Sequence, residues 1–148
     1  MKKKFSLEKT MPFVPKTGAT IVYFLFIGFA AILFAARNVE ALRFSFLLNF
    51  FPEYHTHISN FSISFLLVLV AGYTSMMAYK KIFYSLFVAF LLAVVNVVYE
   101  LYIPFLNTPD KIDAYYGVAG SFFPLIYLVF YRRFGLKENP LYESEKNT

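Results

Sequence analysis

The chain has no cysteine and no tryptophan among its 148 residues, and only 16% of them are charged. Without cysteine there is neither a disulfide scaffold nor a thiolate metal centre. So low a charged share falls well short of the roughly one quarter found in soluble domains. Glycine is sparse as well, at 6 residues, which excludes a collagen-like repeat. No P-loop, GxGxxG, GxSxG or HExxH motif is present, and no Ser–His arrangement supplies a nucleophile. No catalytic residue and no cofactor are therefore assigned. What the sequence has in quantity is apolar: 59% hydrophobic residues, with 20 Phe and 12 Tyr, and a mean hydropathy of +0.57. The length suits one domain, yet too few polar side chains remain to cover a water-facing surface. The expected class is an all-α integral membrane protein.

A bilayer core requires roughly 20 mostly apolar residues in a helix. Four stretches qualify, cut out by charges. They run over 17–36, between Lys16 and Arg37; over 58–79, ended by Lys80 and Lys81; over 82–104, with Glu100 in the outer turn and Pro104 closing it; and over 114–131, ended by Arg132 and Arg133. Backbone amides cannot stay unpaired in lipid, so each should be an α-helix, giving a four-helix transmembrane bundle. The bundle domain is expected over 17–135. A basic segment over 1–16 precedes it, and a polar tail over 136–148, expected to be frayed, follows. The first span exceeds the apolar stretch of a signal peptide and no A-x-A site follows, so it should be retained. Residues Arg43 to Tyr54 are apolar but too short to span, and should lie in the outer interface or against the bundle, with Pro52 ending any helix. No internal repeat is visible.

Orientation follows the basic residues. With the N-terminus in the cytoplasm, eleven of the 14 Lys and Arg residues are inside, and only Arg37, Arg43 and Lys111 are outside. Both termini are thus expected to be cytoplasmic. The basic excess, scattered over three segments, suits anionic lipid and not nucleic acid. Tyr79, Tyr84, Tyr127 and Tyr131 fall near the inner interface, and Tyr99, Tyr102, Tyr115 and Tyr116 near the outer one, as expected of interfacial belts.

Helices associate in lipid through small residues and a few hydrogen bonds. Gly28 in the first span, Gly72 and Ser75 in the second, and Gly117 and Gly120 in the fourth are candidate packing positions. The third span carries Ser85, Ala89, Ala93, Asn96 and Glu100 on one face, so its outer end turns polar. A carboxylate at that depth is costly and should face a partner or a wet cavity. Arg37, Arg43 or a tyrosine are the expected structural partners of Glu100. Beyond it, Asn107 and Pro109 suit a turn, and Asp113 is placed to cap the fourth helix. Asn96, Glu100, Asp110 and Asp113 are the candidate ligand-binding residues, for a cationic or hydrogen-bonding headgroup or a divalent cation. His55 and His57, read as extended chain, would point the same way and offer a second candidate metal pair, with Asp110.

The stretch from Glu100 to Gly120 resembles the VanZ-like family of small membrane proteins, in which an acidic residue late in one helix precedes a Pro-containing loop, an Asp and then a Gly. Glu100, Pro104, Asp113 and Gly120 stand in that order, and Ser59-Asn60-Phe61 is similar to the polar-Phe start of the family's second helix. The resemblance covers roughly residues 55–130. The chain departs from the family pattern at Ile103, where Gln is common, at Gly117, where Asn is common, and in lacking the loop Arg, with Lys111 the nearby cation. What the resemblance implies is a bacterial inner-membrane protein of the cell envelope, in a family linked to resistance to lipoglycopeptide antibiotics such as teicoplanin. The expected function is binding of an envelope lipid or lipid-linked precursor headgroup, or modulation of envelope properties and glycopeptide-antibiotic susceptibility, through the outer acidic site. The alternatives are a small proton- or cation-coupled transporter using Glu100 and Asn96, acting as an oligomer, and a non-catalytic structural subunit.

Overall fold

The computed structural model describes residues 11–103 and 108–142. Expectations that rest on residues 1–10, on Pro104 and Asn107, and on the tail from residue 143 onward lie outside the described residues. Four helical segments are long and apolar enough to cross a membrane: Thr17–Ala35, Tyr54–Tyr79, Ile82–Tyr102 and Lys111–Gly135. The chain is a multi-pass, mainly helical protein of membrane type.

In order, the elements are β1 (Phe13–Pro15), α1 (Thr17–Ala35), a short α2 (Ser45–Phe50), α3 (Tyr54–Tyr79), α4 (Ile82–Tyr102), α5 (Lys111–Phe122), α6 (Pro124–Phe130) and β2 (Leu136–Glu138). At 1.5 Å per residue, α1 is about 28 Å long, close to the thickness of a hydrocarbon core. The fourth crossing is made by α5 and α6 together. Phe123 keeps helical dihedrals between them, while Pro124, which has no amide, leaves the carbonyl of Gly120 without its usual donor. A wider π turn over Tyr131–Gly135 ends the crossing.

Helix α3 begins four residues before the expected boundary. Hydropathy marks where lipid-facing side chains start, whereas the helix starts where the Pro52 turn ends. Thr56 N–H bonds back to Glu53 O at 3.0 Å and the Thr56 hydroxyl does so at 2.7 Å. Tyr54 is buried, and its Oη accepts the Phe44 N–H at 2.8 Å, which fixes the approach of the α2 segment. Helix α2 stops at Phe50, two residues before Pro52.

The tail is not frayed where it is described. Leu136–Glu138 pairs antiparallel with Phe13–Pro15, with Phe13 opposite Glu138, Val14 opposite Lys137 and Pro15 opposite Leu136. Lys16 N–H bonds Gly135 O at 2.7 Å, and Asn139 Nδ2 bonds Met11 O at 2.8 Å. Composition alone suggested a solvated tail; ladder bonds and burial of Leu136 hold it instead. Because β1 precedes the first crossing and β2 follows the last, both lie at one end of the bundle.

Helices α3, α4 and α5 form the centre, and α1 packs on the flank of α3. Ser85, Ala89, Ala93 and Glu100 of α4 all face inward. Towards the β1–β2 end, Tyr23, Tyr73, Tyr131 and Tyr127 form a continuous ring stack, with successive centroids 3.9, 4.6 and 5.7 Å apart. Near that end Tyr131 is 1% exposed and Tyr127 half-buried, so both rings pack against the bundle and are not displayed at its surface. Apolar residues such as Leu25, Phe83, Phe90 and Phe130 stand outward, as lipid-facing side chains would.

The candidate packing residues are used unequally. A side chain at Gly72 would meet Leu128 and Ser85, one at Gly117 would meet Asn96, and one at Gly120 would meet the Phe61 backbone carbonyl. Gly28 is a correction: among the described residues nothing lies within 4 Å of where its Cβ would be, since α1 is peripheral and buries only Ala30 and Leu33. Ser75 is half-buried and turns its hydroxyl back to Gly72 O at 3.0 Å, a bond within its own helix.

Candidate functional site

At the end of the bundle opposite the β strands, the starts of α3 and α5 and the end of α4 converge. Asp110 is the N-cap of α5. Its Oδ1 accepts the amides of Ile112 at 2.7 Å and Asp113 at 3.4 Å, satisfying amides that the helix start leaves without partners. This corrects the expectation for Asp113, which stands one turn into the helix. There its carboxylate is free of capping and meets His57: Nδ1 to Asp113 Oδ1 is 2.8 Å. The same Nδ1 is 3.6 Å from Asp110 Oδ2. The backbone amide of Asp110 bonds Glu100 O at 3.3 Å, tying the start of α5 to the end of α4.

His57 is helical and not extended, so the expectation that it shares a face with His55 fails. Residues two apart on an α-helix point about 200° away from each other. Only His57 reaches α5. The donor atoms of His57, Asp110 and Asp113 all lie within 4.8 Å of one another. One imidazole nitrogen and two carboxylates form a donor set suited to a divalent cation, with open positions for a further ligand. The same three groups also make a hydrogen-bonded, charge-paired link between α3 and α5.

Deeper in the bundle lie two polar rungs between α3 and α4. Asn60 Nδ2 donates to Glu100 Oε1 at 2.8 Å, and Asn96 Nδ2 donates to Ser64 Oγ at 2.9 Å and to Leu92 O at 2.8 Å. Glu100 is 3% exposed, so its carboxylate is inside the protein and away from acyl chains. The arginines expected beside it have other partners: Arg37 donates to Ser59 Oγ, and Arg43 donates to Ala36 O at 3.3 Å and lies 3.9 Å from Glu40. The four ligand-binding candidates are therefore divided. Asp110 and Asp113 sit in the outer cluster with His57, while Asn96 and Glu100 sit in the helix interface. Asn60 and Ser64 were missed as site residues. Their signal was available, because they are four apart, as are Asn96 and Glu100, and antiparallel helices bring two such pairs into register.

Beside the cluster opens a cleft of about 370 Å³, walled by Phe50, Phe51, Tyr54, His57, Ile112 and Tyr116. The Tyr116 and His57 rings are 5.7 Å apart. The cleft is chiefly aromatic and apolar, with His57 and Glu53 as its ionisable lining residues. It can take a molecule with an apolar body and a polar head at His57, the one residue that the cleft shares with the cluster. No protein-family model, no curated protein and no solved structure matches this chain.

Proposed function

We propose that the protein is a VanZ-like component of the bacterial inner membrane that binds an envelope lipid or lipid-linked headgroup on the outer face, and through it alters susceptibility to glycopeptide-type antibiotics. The observation that carries the reading is the junction of the His57–Asp110–Asp113 cluster with the aromatic cleft. A cationic headgroup would sit against Asp110 and Asp113, with His57 orienting Asp113, and its apolar part along Phe50 and Phe51. The order of Glu100, Asp113 and Gly120 supports the family resemblance. The excess of Lys and Arg at the end bearing the β strands supports a cytoplasmic location for both termini. The test is to replace Asp113→Asn and Glu100→Gln separately in the producing bacterium and to follow membrane assembly and antibiotic susceptibility. A lost phenotype with intact assembly for Asp113→Asn is expected. Unchanged susceptibility in both variants removes the functional claim and leaves a structural subunit. Proton-coupled uptake into vesicles that depends on Glu100 would point instead to a carrier.

A further inference from the structure

The other end of the bundle holds a second cleft, of about 420 Å³, lined by Lys80, Ile82, Val129, Arg132 and Arg133. Three chain features build it. Lys80 ends α3 in the left-handed conformation, at φ 53°, with its amide still bonded to Met76 O at 2.9 Å. Only Lys80 and Lys81 then separate α3 from α4. The π turn after α6 carries Arg132 and Arg133 to the same level, and Arg132 Nε donates to Lys80 O at 3.1 Å. That bond fixes the arginine stem and leaves its terminal nitrogens for another acceptor.

The other two cations rest on rings. Lys80 Nζ is 5.0 Å from the Phe13 ring centre, and the Arg133 guanidinium is 5.1 Å from that of Phe134. A guanidinium lying on a ring still presents its N–H edge outward. Among the described residues, no acidic residue lines the cleft and none of the three cations is ion-paired. Three cationic residues line one cleft where helices leave the lipid, which favours an anion there. The walls, Ile82 and Val129, are apolar, and their chain neighbours Phe83 and Phe130 are exposed, as lipid-facing side chains would be. A small free anion would match the charge and leave these walls unused.

We propose that this cleft binds the phosphate of an anionic two-chain phospholipid, whose acyl chains lie along α4 and α6. Basic pockets between membrane helices recognise such headgroups, at about 1 kcal/mol for each Lys or Arg near the surface. A zwitterionic lipid brings its own cation to the phosphate and gains less. The site is separate from the carboxylate cleft and does not depend on its function.

The full chain, reconstituted in phosphatidylcholine vesicles, is tested with spin-labelled phosphatidylglycerol and spin-labelled phosphatidylcholine, and the lipid held immobile by the protein is read by electron paramagnetic resonance. The wild type should prefer the anionic probe. Arg133→Gln should lower that preference roughly fivefold at the site, and Arg132→Gln with Arg133→Gln further. Arg132→Lys, which keeps the charge, should retain most of it, and Lys111→Gln, at the far end, all of it. Inorganic phosphate at constant ionic strength should not displace the probe. The Arg133 side chain makes no hydrogen bond among the described residues, so Arg133→Gln tests the site even if the double variant loses helix content. A wild-type preference in Arg133→Gln, an equal loss in Lys111→Gln, or displacement by inorganic phosphate would each overturn the proposal.

Discussion

Gly120 and Gly28 are the same residue type in two apolar helices, and the fold uses them in opposite ways. Any side chain at Gly120 runs into the Phe61 carbonyl, a backbone atom that cannot swing aside, whereas the space beside Gly28 is open. Gly120→Ala should therefore cost about 1–3 kcal/mol through forced backbone displacement. Gly28→Ala should be neutral or stabilising by up to about 1 kcal/mol, from helix propensity. Thermal unfolding in detergent distinguishes them; equal effects would contradict the packing. At Glu100, replacement by Leu leaves the Asn60 amide without its carboxylate acceptor, at a cost of about 1–3 kcal/mol. Gln keeps an acceptor oxygen and should cost less, which the same melts would show. These differences were not legible in the sequence. A small residue at helical spacing gives the same signal whether a neighbour fills its notch or lipid does.

At the scale of elements, the helices were legible because unbroken apolar runs leave the backbone no other way to pair. Their polar ends were not. The run Tyr54-His55-Thr56-His57 has no apolar pattern, so extended chain and helix were equally open, and only burial of Tyr54 and the bonds to Glu53 decide for helix. That choice determines which histidine meets Asp113. His57→Ala should lower the unfolding temperature by removing the link between α3 and α5, and His55→Ala should not; the reverse order would argue for an extended segment. The cap of α5 moved for a related reason. Asp110 and Asp113 both precede amides that need an acceptor, and spacing alone could not rank them. Helix α2 makes a further element-level claim. Phe46 and Phe50 are 69% and 66% exposed, with rings 5.1 Å apart, which suits an apolar face laid on the membrane interface. A polarity-sensitive dye on Phe46→Cys should report an apolar setting and one on Glu53→Cys an aqueous one. Aqueous signals from both would detach α2 from the membrane.

For the whole molecule, the pairing of β1 with β2 requires an even number of crossings, independently of hydropathy. Two chemistries are then separated by the thickness of the bundle: His57, Asp110 and Asp113 at one end, and Lys80, Arg132 and Arg133 at the other. The asymmetry was readable from the distribution of charge along the chain, whereas the gathering of each set around a cleft was not, since it depends on α2, the left-handed Lys80 and the π turn. The absence of cysteine makes the arrangement directly measurable. Single thiols at Lys80→Cys and Thr108→Cys, treated in intact cells with a membrane-impermeant maleimide, should react differently: position 108 at once, and position 80 only after the membrane is opened. Labelling of both from the same side would contradict the account.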